Sequence, residues 1–292
     1  LLGAGASGGA FASLFSHGIA IPHMIDAANR RQVAGDDVGA DWLLDENIRP
    51  VLAGDKIAAL GVTEPDGGSD VVHLRTRAIP DGDDWIINGA KTYITSGVRA
   101  DVVVVAARTA DSGASGVSLF AVDTSLPGFE VTRKLRKMGW DCSDTAELAF
   151  EDCRVPAANR IADEGMGLKI ALSGLEGGRI GIAAQSVGMA RAAFDAALAY
   201  SKERVAFGQP IFEHQAVQFR LGEMATQIEA ARQLIHHAAS LKDAGRPCLK
   251  EAAMAKLFAS EMAERVCSAA IQTLGGYGYV SDFPVERIYR DV

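Results

Sequence analysis

Cysteine is scarce in this sequence, and none of it stands in a metal-binding or redox motif. The four cysteines are Cys142, Cys153, Cys248 and Cys267. No pair has the Cys-x-x-Cys spacing, and no histidine accompanies a cysteine at the spacing of zinc ligands. We therefore expect reduced thiols in a cytoplasm-like compartment and no metal site.

Long apolar runs and an excess of basic residues are absent as well. No run approaches the roughly 20 apolar residues that a membrane-spanning helix requires, so no membrane partner is expected. The first residues are small and apolar, but they lack a starting Met and a basic stretch and so predict no secretion signal. A net charge of −8 disfavours nucleic acid as a partner, although a local basic patch can still hold a phosphorylated ligand.

What the sequence does contain is enough apolar material for a large core, in three successive patterns. Of its 292 residues, 48% are hydrophobic. Within residues 1–55, the predicted N-terminal domain, positions 10–55 carry helical spacing, with Phe11, Leu14, Phe15 and Ile19 on one face. Residues 56–158 carry short β segments, and residues 159–292 return to helical spacing. The sequence contains no predicted strand that is followed by Gly-x-Gly-x-x-Gly, so we do not expect a doubly wound nucleotide-binding sheet.

The central pattern predicts a β domain. Strand-like segments cover residues 85–87, 93–95, 102–105, 117–122, 129–131 and 146–150. Asn88-Gly89, between the first two, predicts a tight hairpin turn.

The last pattern predicts three long helices in a bundle, separated at residues 208–210 and 245–247, and two of them have a clear apolar face. One apolar face carries Val217, Leu221, Met224, Ile228, Ala231, Ile235 and Ala238. A second carries Met254, Phe258, Met262, Val266 and Ala269 and should end at Gly275-Gly276. The fold class is therefore a multidomain α+β protein: a partial N-terminal helical domain, a central β-barrel-like or sandwich domain, and a partial C-terminal antiparallel helical bundle.

Two unusual stretches carry the functional signal. Residues 63–70 read Thr-Glu-Pro-Asp-Gly-Gly-Ser-Asp, and residues 272–279 read Gln-Thr-Leu-Gly-Gly-Tyr-Gly-Tyr. Taken alone, the first is a tight turn whose backbone N–H groups and hydroxyls suit a flavin edge or a pyrophosphate. Together the two stretches resemble those of the acyl-CoA dehydrogenase family, and the resemblance covers essentially the whole chain.

The resemblance implies an FAD site with assigned residues. Lys91-Thr92-Tyr93-Ile94-Thr95 resembles the family's flavin-facing strand, in which the aromatic covers the flavin and the second Thr bonds its N5. An ordinary exposed β-hairpin is the alternative. Arg204–Gly208 and His214-Gln215 resemble elements that reach the FAD of a neighbouring subunit. The implied cofactor-binding residues are Val62, Thr63, Gly68, Ser69, Tyr93, Thr95, Arg204, Phe207, Gln215, Gln272, Gly275 and Gly276.

The resemblance also implies part of an acyl-CoA site, formed by Ser69, Leu175, Glu176 and Arg179. Arg179 could equally form an ion pair with Glu176. A minority of the family carries its catalytic Glu at the place of Gly178. In most members the base is a Glu in a Tyr-Glu-Gly-Thr segment shortly after an Arg-Asp pair that resembles Arg290-Asp291, so we expect it beyond Val292 and assign no catalytic residue.

The implied function is FAD-dependent α,β-dehydrogenation of an acyl-CoA to the trans-2-enoyl-CoA in fatty acid β-oxidation, most similar to short- and medium-chain enzymes. Electrons would pass to an electron-transfer flavoprotein. Two alternatives stay open: a non-catalytic FAD-binding partner subunit of a heteromeric dehydrogenase, or an acyl-CoA oxidase. The resemblance further implies a homo-oligomer, a dimer of dimers that shares its FAD sites, in the cytoplasm or the mitochondrial matrix, with a substantial stretch of chain before Leu1.

Overall fold

A computed structural model describes residues 17–292 of the chain, without the side chains at positions 17, 19 and 173–176. The predicted apolar face of Phe11, Leu14, Phe15 and Ile19 therefore lies outside the described part. The described residues form two compact units. The sheet unit runs from residue 17 to Arg136 and includes Ser143–Leu175, and the helical unit consists of Lys137–Cys142 and Glu176–Val292.

The sheet unit begins with helices. These are α1 (His17–Ala34), α2 (Asp37–Leu43), a single π-helical stretch (Leu44–Ile48) and α3 (Arg49–Ala53). The side chain of Asp36 accepts a hydrogen bond from the Gly39 N–H and so caps α2. Gly54 ends α3 with a φ of 88°, a backbone conformation that glycine adopts without strain.

Eight strands then form one mixed sheet. They are β1 (Ala58–Gly61), β2 (Arg77–Asp81), β3 (Asp84–Thr95), β4 (Val102–Arg108), β5 (Val117–Asp123), β6 (Phe129–Lys134), β7 (Thr145–Pro156) and β8 (Arg160–Ile161). Their order is β6-β7-β3-β2-β4-β5-β8, with β1 parallel to β4 in the register Ala58↔Val102. Within the described residues the order has two ends, so the sheet is open and not a closed barrel.

The core of the sheet unit lies on both faces of β4 and β5. Val103 and Val105 pack with residues of β3 and β7, whereas Val102 and Val104 pack with α1 and with the start of a later helix. Because alternate residues of a strand point to opposite faces, burial on both sides explains why β4 reads as an uninterrupted run of Val and Ala.

The predicted hairpin turn at Asn88-Gly89 is wrong. β3 continues through these residues, and the turn lies one strand earlier, where Asp81 pairs with Asp84 across Gly82. Gly89, with a φ of 148°, instead sits at a register shift between β3 and β7. A Cβ on Gly89 would come within 2.7 Å of the Thr76 Cα, so the glycine serves a close backbone approach and not a turn.

The helical unit is built on three long helices. These are α4 (Gly167–Glu203, whose first residues count with the sheet unit), α5 (Gln215–Asp243) and α6 (Leu249–Leu274). The short strands β9 (Val205–Ala206) and β10 (Gln209–Pro210) and the helix α7 (Val285–Asp291) complete it. The brief connection between α5 and α6 makes them antiparallel neighbours, as the sequence predicted. None of the helices in residues 17–292 combines the length and apolar character needed to cross a membrane.

The predicted helix faces are confirmed for α5 and partly wrong for α6. In α5, every member of the predicted face from Leu221 to Ala238 is buried, and Val217 is half-buried against the same core. In α6, Met262 and Val266 are buried, but Met254 is half exposed. The buried face is instead rich in alanine, because small side chains let the helices approach closely. α6 does end at Leu274, directly before Gly275.

The segment Lys137–Cys142 is fixed to α7. The Trp140 N–H donates to Oδ1 of Asp291 at 2.6 Å, and its indole Nε1–H donates to the Asp291 carbonyl oxygen at 2.5 Å. Gly139 lies against the Arg290 carbonyl, where a Cβ would overlap the oxygen. Position 139 therefore requires glycine because a side chain would overlap the Arg290 carbonyl, and not because of its backbone conformation.

This contact predicts opposite effects for two Gly→Ala substitutions in the helical unit. Gly139→Ala should destabilise the protein by about 1–3 kcal/mol, because a methyl group forces the segment away from α7. Gly222→Ala is the matched control: it lies inside α5 with nothing within 4 Å of its Cβ position, and should stabilise the helix by about 1 kcal/mol. Urea unfolding checks both, and equal stability of the two variants would contradict the assigned contact.

Candidate functional site

One cavity in the sheet unit gathers most of the residues predicted for the flavin ring. We call it the sheet cavity, and its volume is about 260 Å³. It is lined by Leu60, Val62, Thr63, Gly68, Val71, Tyr93, Ile94, Thr95, Leu168, Ala171 and Leu172. Five of the predicted residues are thus brought together, and no carboxylate stands among these lining residues.

The Thr-Glu-Pro-Asp-Gly stretch forms one side of this cavity as a closed turn. The Glu64 N–H donates to the Gly67 carbonyl at 3.0 Å, and the Gly67 N–H donates back to the Glu64 carbonyl at 3.1 Å. Pro65 at the second turn position favours this geometry through its fixed φ. The turn places Thr63 and Gly68, on either side of it, at the cavity.

A buried ion pair lies behind the turn. The Lys91 Nζ donates to Oε1 of Glu64 at 2.7 Å, and the two side chains are 0% and 6% exposed. Lys91 also donates to the Val62 carbonyl at 3.2 Å. The Glu64 carboxylate accepts further hydrogen bonds from the backbone N–H groups of Arg75 and Thr76. Both charges are therefore paired and hydrogen-bonded, as burial requires.

The environment shifts the pKa of both partners. Burial lowers the pKa of the Lys91 ammonium to about 8, and the nearby Glu64 carboxylate opposes that shift. Burial alone would raise the pKa of Glu64, but the charge of Lys91 and the hydrogen bonds from Lys91, Thr76 and Arg75 hold it below its usual value. Both groups are consequently ionised at neutral pH.

The strand β3 is irregular where it meets the cavity. The β3–β7 register shifts between Lys91 and Ile94, and Tyr93 adopts a φ of 59°, which is uncommon for a residue other than glycine. Lys91 and Thr92 are buried, whereas the Tyr93 side chain is 69% exposed. Tyr93 and Thr95, two positions apart on the strand, both line the cavity.

A second cavity lies in the helical unit, at the C-terminal end of α6. We call it the helical cavity; its volume is about 610 Å³. Its lining residues are Tyr200, Arg204, Ile211, Gln272, Thr273, Leu274, Gly275, Gly276, Tyr277, Val280 and Asp282. Four of the predicted cofactor residues meet here, and the Arg204 guanidinium lies 5.8 Å from the centre of the Tyr277 ring.

Three further predicted cofactor residues do not line either cavity. Ser69 is exposed beside Gly68. Phe207 lies between β9 and β10, is 97% exposed and touches only the edge of the His214 ring among the ring contacts of the described chain. Gln215 is exposed at the first turn of α5.

Of the predicted acyl-CoA residues, Arg179 has the most telling environment. It lies on α4, and its Nη1 is buried without a hydrogen-bond partner in the described structure. An unsatisfied buried donor is unfavourable, so this nitrogen is available to an anionic or carbonyl group of a ligand. The side chains of Leu175 and Glu176 lie outside the described part, which leaves the alternative Arg179–Glu176 ion pair a prediction.

Known protein families match both units. The model of the acyl-CoA dehydrogenase middle domain matches residues 59–153, and that of the acyl-CoA dehydrogenase C-terminal domain matches residues 165–292. The chain belongs to the acyl-CoA dehydrogenase family. Its members are FAD-dependent flavoproteins that oxidise or reduce CH–CH groups, so the predictions of family and cofactor are confirmed at this level.

Individual relatives agree with the family assignment. An acyl-CoA dehydrogenase of Bacillus subtilis (strain 168) is 48% identical over 84% of this chain and 65% of its own length. A mitochondrial short-chain specific acyl-CoA dehydrogenase of Rattus norvegicus is 46% identical over 84% of this chain and 60% of its own. The solved structure of a putative acyl-CoA dehydrogenase from Mycobacterium smegmatis is 49% identical, with a TM-score of 0.91 over 98% of this chain and 72% of that one. This chain thus spans less than two thirds of the length of both curated relatives.

The two cavities fit the parts of an FAD molecule. The sheet cavity offers aliphatic walls with the hydroxyls of Thr63, Tyr93 and Thr95, which suits a flat ring system with polar edges. In the helical cavity, Gly275 and Gly276 have no heavy atom within 4 Å of their Cβ positions. A sugar or phosphate can therefore approach the backbone there, and Arg204 supplies a cation for it.

Sequence reasoning missed two groups of residues. The aliphatic lining of the sheet cavity by Leu168, Ala171 and Leu172 comes from α4, far along the chain, and no local motif marks it. The Glu64–Lys91 pair was also missed, although both residues lie inside motifs that were singled out. The available signal was the presence of opposite charges in these two motifs, a Glu in the turn and a Lys two residues before the flavin-facing aromatic, which together suggest an ion pair.

The helical cavity predicts a difference between two neighbouring glycines. Gly275 has a φ of 62°, whereas Gly276 has no positive φ. Gly275→Ala should therefore lower the free energy of unfolding by about 1–3 kcal/mol through backbone strain, and Gly276→Ala should be close to neutral. Thermal unfolding of the two variants checks this, and an unchanged Gly275→Ala protein would contradict the backbone conformation assigned to that residue.

Proposed function

We propose that the protein to which this chain belongs is an FAD-dependent acyl-CoA dehydrogenase that converts a saturated acyl-CoA thioester into its trans-2-enoyl-CoA. The observation that carries this proposal is the sheet cavity, in which Val62, Thr63, Gly68, Tyr93 and Thr95 meet as the family resemblance predicts. The similarity to a short-chain specific relative supports a short acyl chain.

Within this proposal, residues of the sheet cavity hold the flavin ring. Tyr93 would cover the ring with its aromatic face, and the Thr95 hydroxyl would donate a hydrogen bond to it. Val62 and Thr63 form the opposing wall, and the aliphatic residues of α4 exclude water. When bound, FAD supplies the acceptor for a hydride.

The reaction breaks two C–H bonds and forms one C=C bond. A carboxylate base would take the proton from the carbon next to the thioester, and bound FAD would supply the two-electron acceptor for the hydride lost from the next carbon. The described lining of the sheet cavity contains no carboxylate that could act as base. We keep the expectation that the base is the Glu of a Tyr-Glu-Gly-Thr segment following Arg290-Asp291.

The remaining contacts are assigned by the same reasoning. Arg204, Gln272, Gly275 and Gly276 hold the adenosine and pyrophosphate part of FAD, with Phe207 and Gln215 contributing from the β9–β10 tip and the start of α5. For acyl-CoA we propose contacts with Ser69, Leu175, Glu176 and Arg179, and the unpartnered Nη1 of Arg179 supports its share.

We also propose that the protein is a homo-oligomer in which one subunit completes the FAD site of another. Exposed apolar side chains support a covered surface on the helical unit: Phe207 is 97%, Phe219 68% and Leu257 59% exposed. An electron-transfer flavoprotein is the proposed electron acceptor. A three-domain division at residues 55/56 and 158/159, and a cytoplasmic or mitochondrial-matrix location, complete the proposal.

The activity is tested by mixing the purified flavoprotein with butyryl-CoA, octanoyl-CoA and palmitoyl-CoA without oxygen. We expect the absorbance of oxidised flavin to bleach, one enoyl-CoA to form per flavin reduced, and the fastest reaction with butyryl-CoA. A flavin that stays oxidised with every thioester would favour the non-catalytic partner subunit. Peroxide formation equal to substrate consumption in air would favour the oxidase over the dehydrogenase.

The shared FAD site predicts that flavin retention depends on the oligomer. On gel filtration of progressively diluted protein, flavin should elute with the oligomer and be released as the monomer forms, and a flavin-loaded monomer would contradict the proposal.

The proposed contact of Arg204 with FAD is tested by substitution. Arg204→Gln should weaken FAD binding about tenfold or more, since it removes a charge-assisted hydrogen bond. Arg232→Gln is the control, because Arg232 pairs with Glu229 on the exposed surface of α5.

A further inference from the structure

We infer that Glu64 and Lys91 act as a positioning pair that fixes the two walls of the sheet cavity relative to each other. Neither residue is among the residues that line the cavity. Their neighbours along the chain are, with Val62 and Thr63 on one side and Tyr93 and Thr95 on the other. The inference rests on the proposed function only for the identity of the ligand.

The pair joins the two walls through direct bonds. Lys91 on β3 donates to the Val62 carbonyl at 3.2 Å and to Glu64 at 2.7 Å. One residue further along β3, the Thr92 N–H donates to the Thr63 carbonyl at 2.9 Å. Three successive residues of the turn segment are therefore attached to two successive residues of the strand.

The Glu64 carboxylate extends the attachment to the far end of the loop. Its Oε1 accepts from the Thr76 N–H at 2.9 Å, and its other oxygen accepts from the Arg75 N–H. The loop between these points carries Gly68 and Val71, which line the cavity. One carboxylate thus closes the loop at its base.

Charge makes this attachment specific. Replacing a buried ion pair with apolar side chains is often neutral or stabilising, but removing one partner leaves a buried charge without compensation. A pair that contributes little net stability but bonds three backbone groups, at Val62, Arg75 and Thr76, is suited to holding one geometry. Lys91 is also the last residue of β3 that pairs with β7 before the register shift, so its loss should loosen the strand at Thr92 and Tyr93.

The experiment separates positioning from stability with four variants: Lys91→Met, Glu64→Gln, the double variant E64Q/K91M, and Val155→Ala. Val155 is fully buried in β7, opposite Trp85 and away from the cavity lining. Its truncation serves as a destabilised control with both charges intact. Thermal unfolding ranks their stability, titration of the apoprotein with FAD gives affinity, and hydrogen exchange of the Thr92 amide reports the connection between the walls.

We expect both single variants of the pair to be the least stable, and the double variant to regain much of the loss because no buried charge is left alone. FAD binding should nevertheless stay at least about tenfold weaker in the double variant, and its Thr92 amide should exchange faster. The Val155→Ala protein should keep parent-like affinity and Thr92 exchange at temperatures where it is folded.

Parent-like FAD affinity and Thr92 exchange in the double variant would overturn the inference, and so would an equal loss of affinity in Val155→Ala. Failure of the parent protein itself to bind FAD would refute the proposed function instead. In that case the exchange rate of Thr92, which needs no cofactor, still decides whether the pair holds the two walls together.

Discussion

The buried ion pair between Lys91 and Glu64 is the interaction on which the geometry of the sheet cavity depends. The turn rich in glycine lies outside the sheet, and the β3–β7 register is interrupted between Lys91 and Ile94, so both segments are locally adaptable. The pair holds both segments in place through hydrogen bonds to the backbone of Val62, Arg75 and Thr76. A polar contact in the core thereby fixes the loop from which the candidate site is built.

This arrangement works because the rest of the sheet unit is packed on both faces. β4 and β5 have apolar contacts on either side, so the sheet cannot shift to relieve the pair, and burial keeps water away from the two charges. In the helical unit, glycines and main-chain contacts define the local geometry. There the glycines at the end of α6 leave space beside the backbone, and the specific contact of Trp140 with Asp291 is made with main-chain as well as side-chain groups.

Local sequence patterns predicted many of the helices and strands, but features that depend on residues far apart in the chain could not be predicted from them. Strand composition located β4 and β5, and Gly275 marked the end of α6. The hairpin turn predicted at Asn88-Gly89 does not form, because the close approach of Thr76 and the pairing with β7 override the turn preference of this dipeptide. The exposure of Met254 follows from tertiary packing of alanines. The Glu64–Lys91 pair spans 27 positions, a separation that no helical or strand periodicity connects.

The charge balance of the pair also bears on what the cavity can bind. A lone buried Lys bonded to the Val62 carbonyl would place a positive charge directly behind the cavity wall, where the low dielectric makes it strong. The Glu64 carboxylate cancels most of that field while keeping the ammonium in place. The side chains of the lining are aliphatic, aromatic or hydroxyl-bearing, and none of them is charged. The cavity is therefore suited to a neutral ring, and a carboxylate base for the proposed reaction must come from residues other than the described lining.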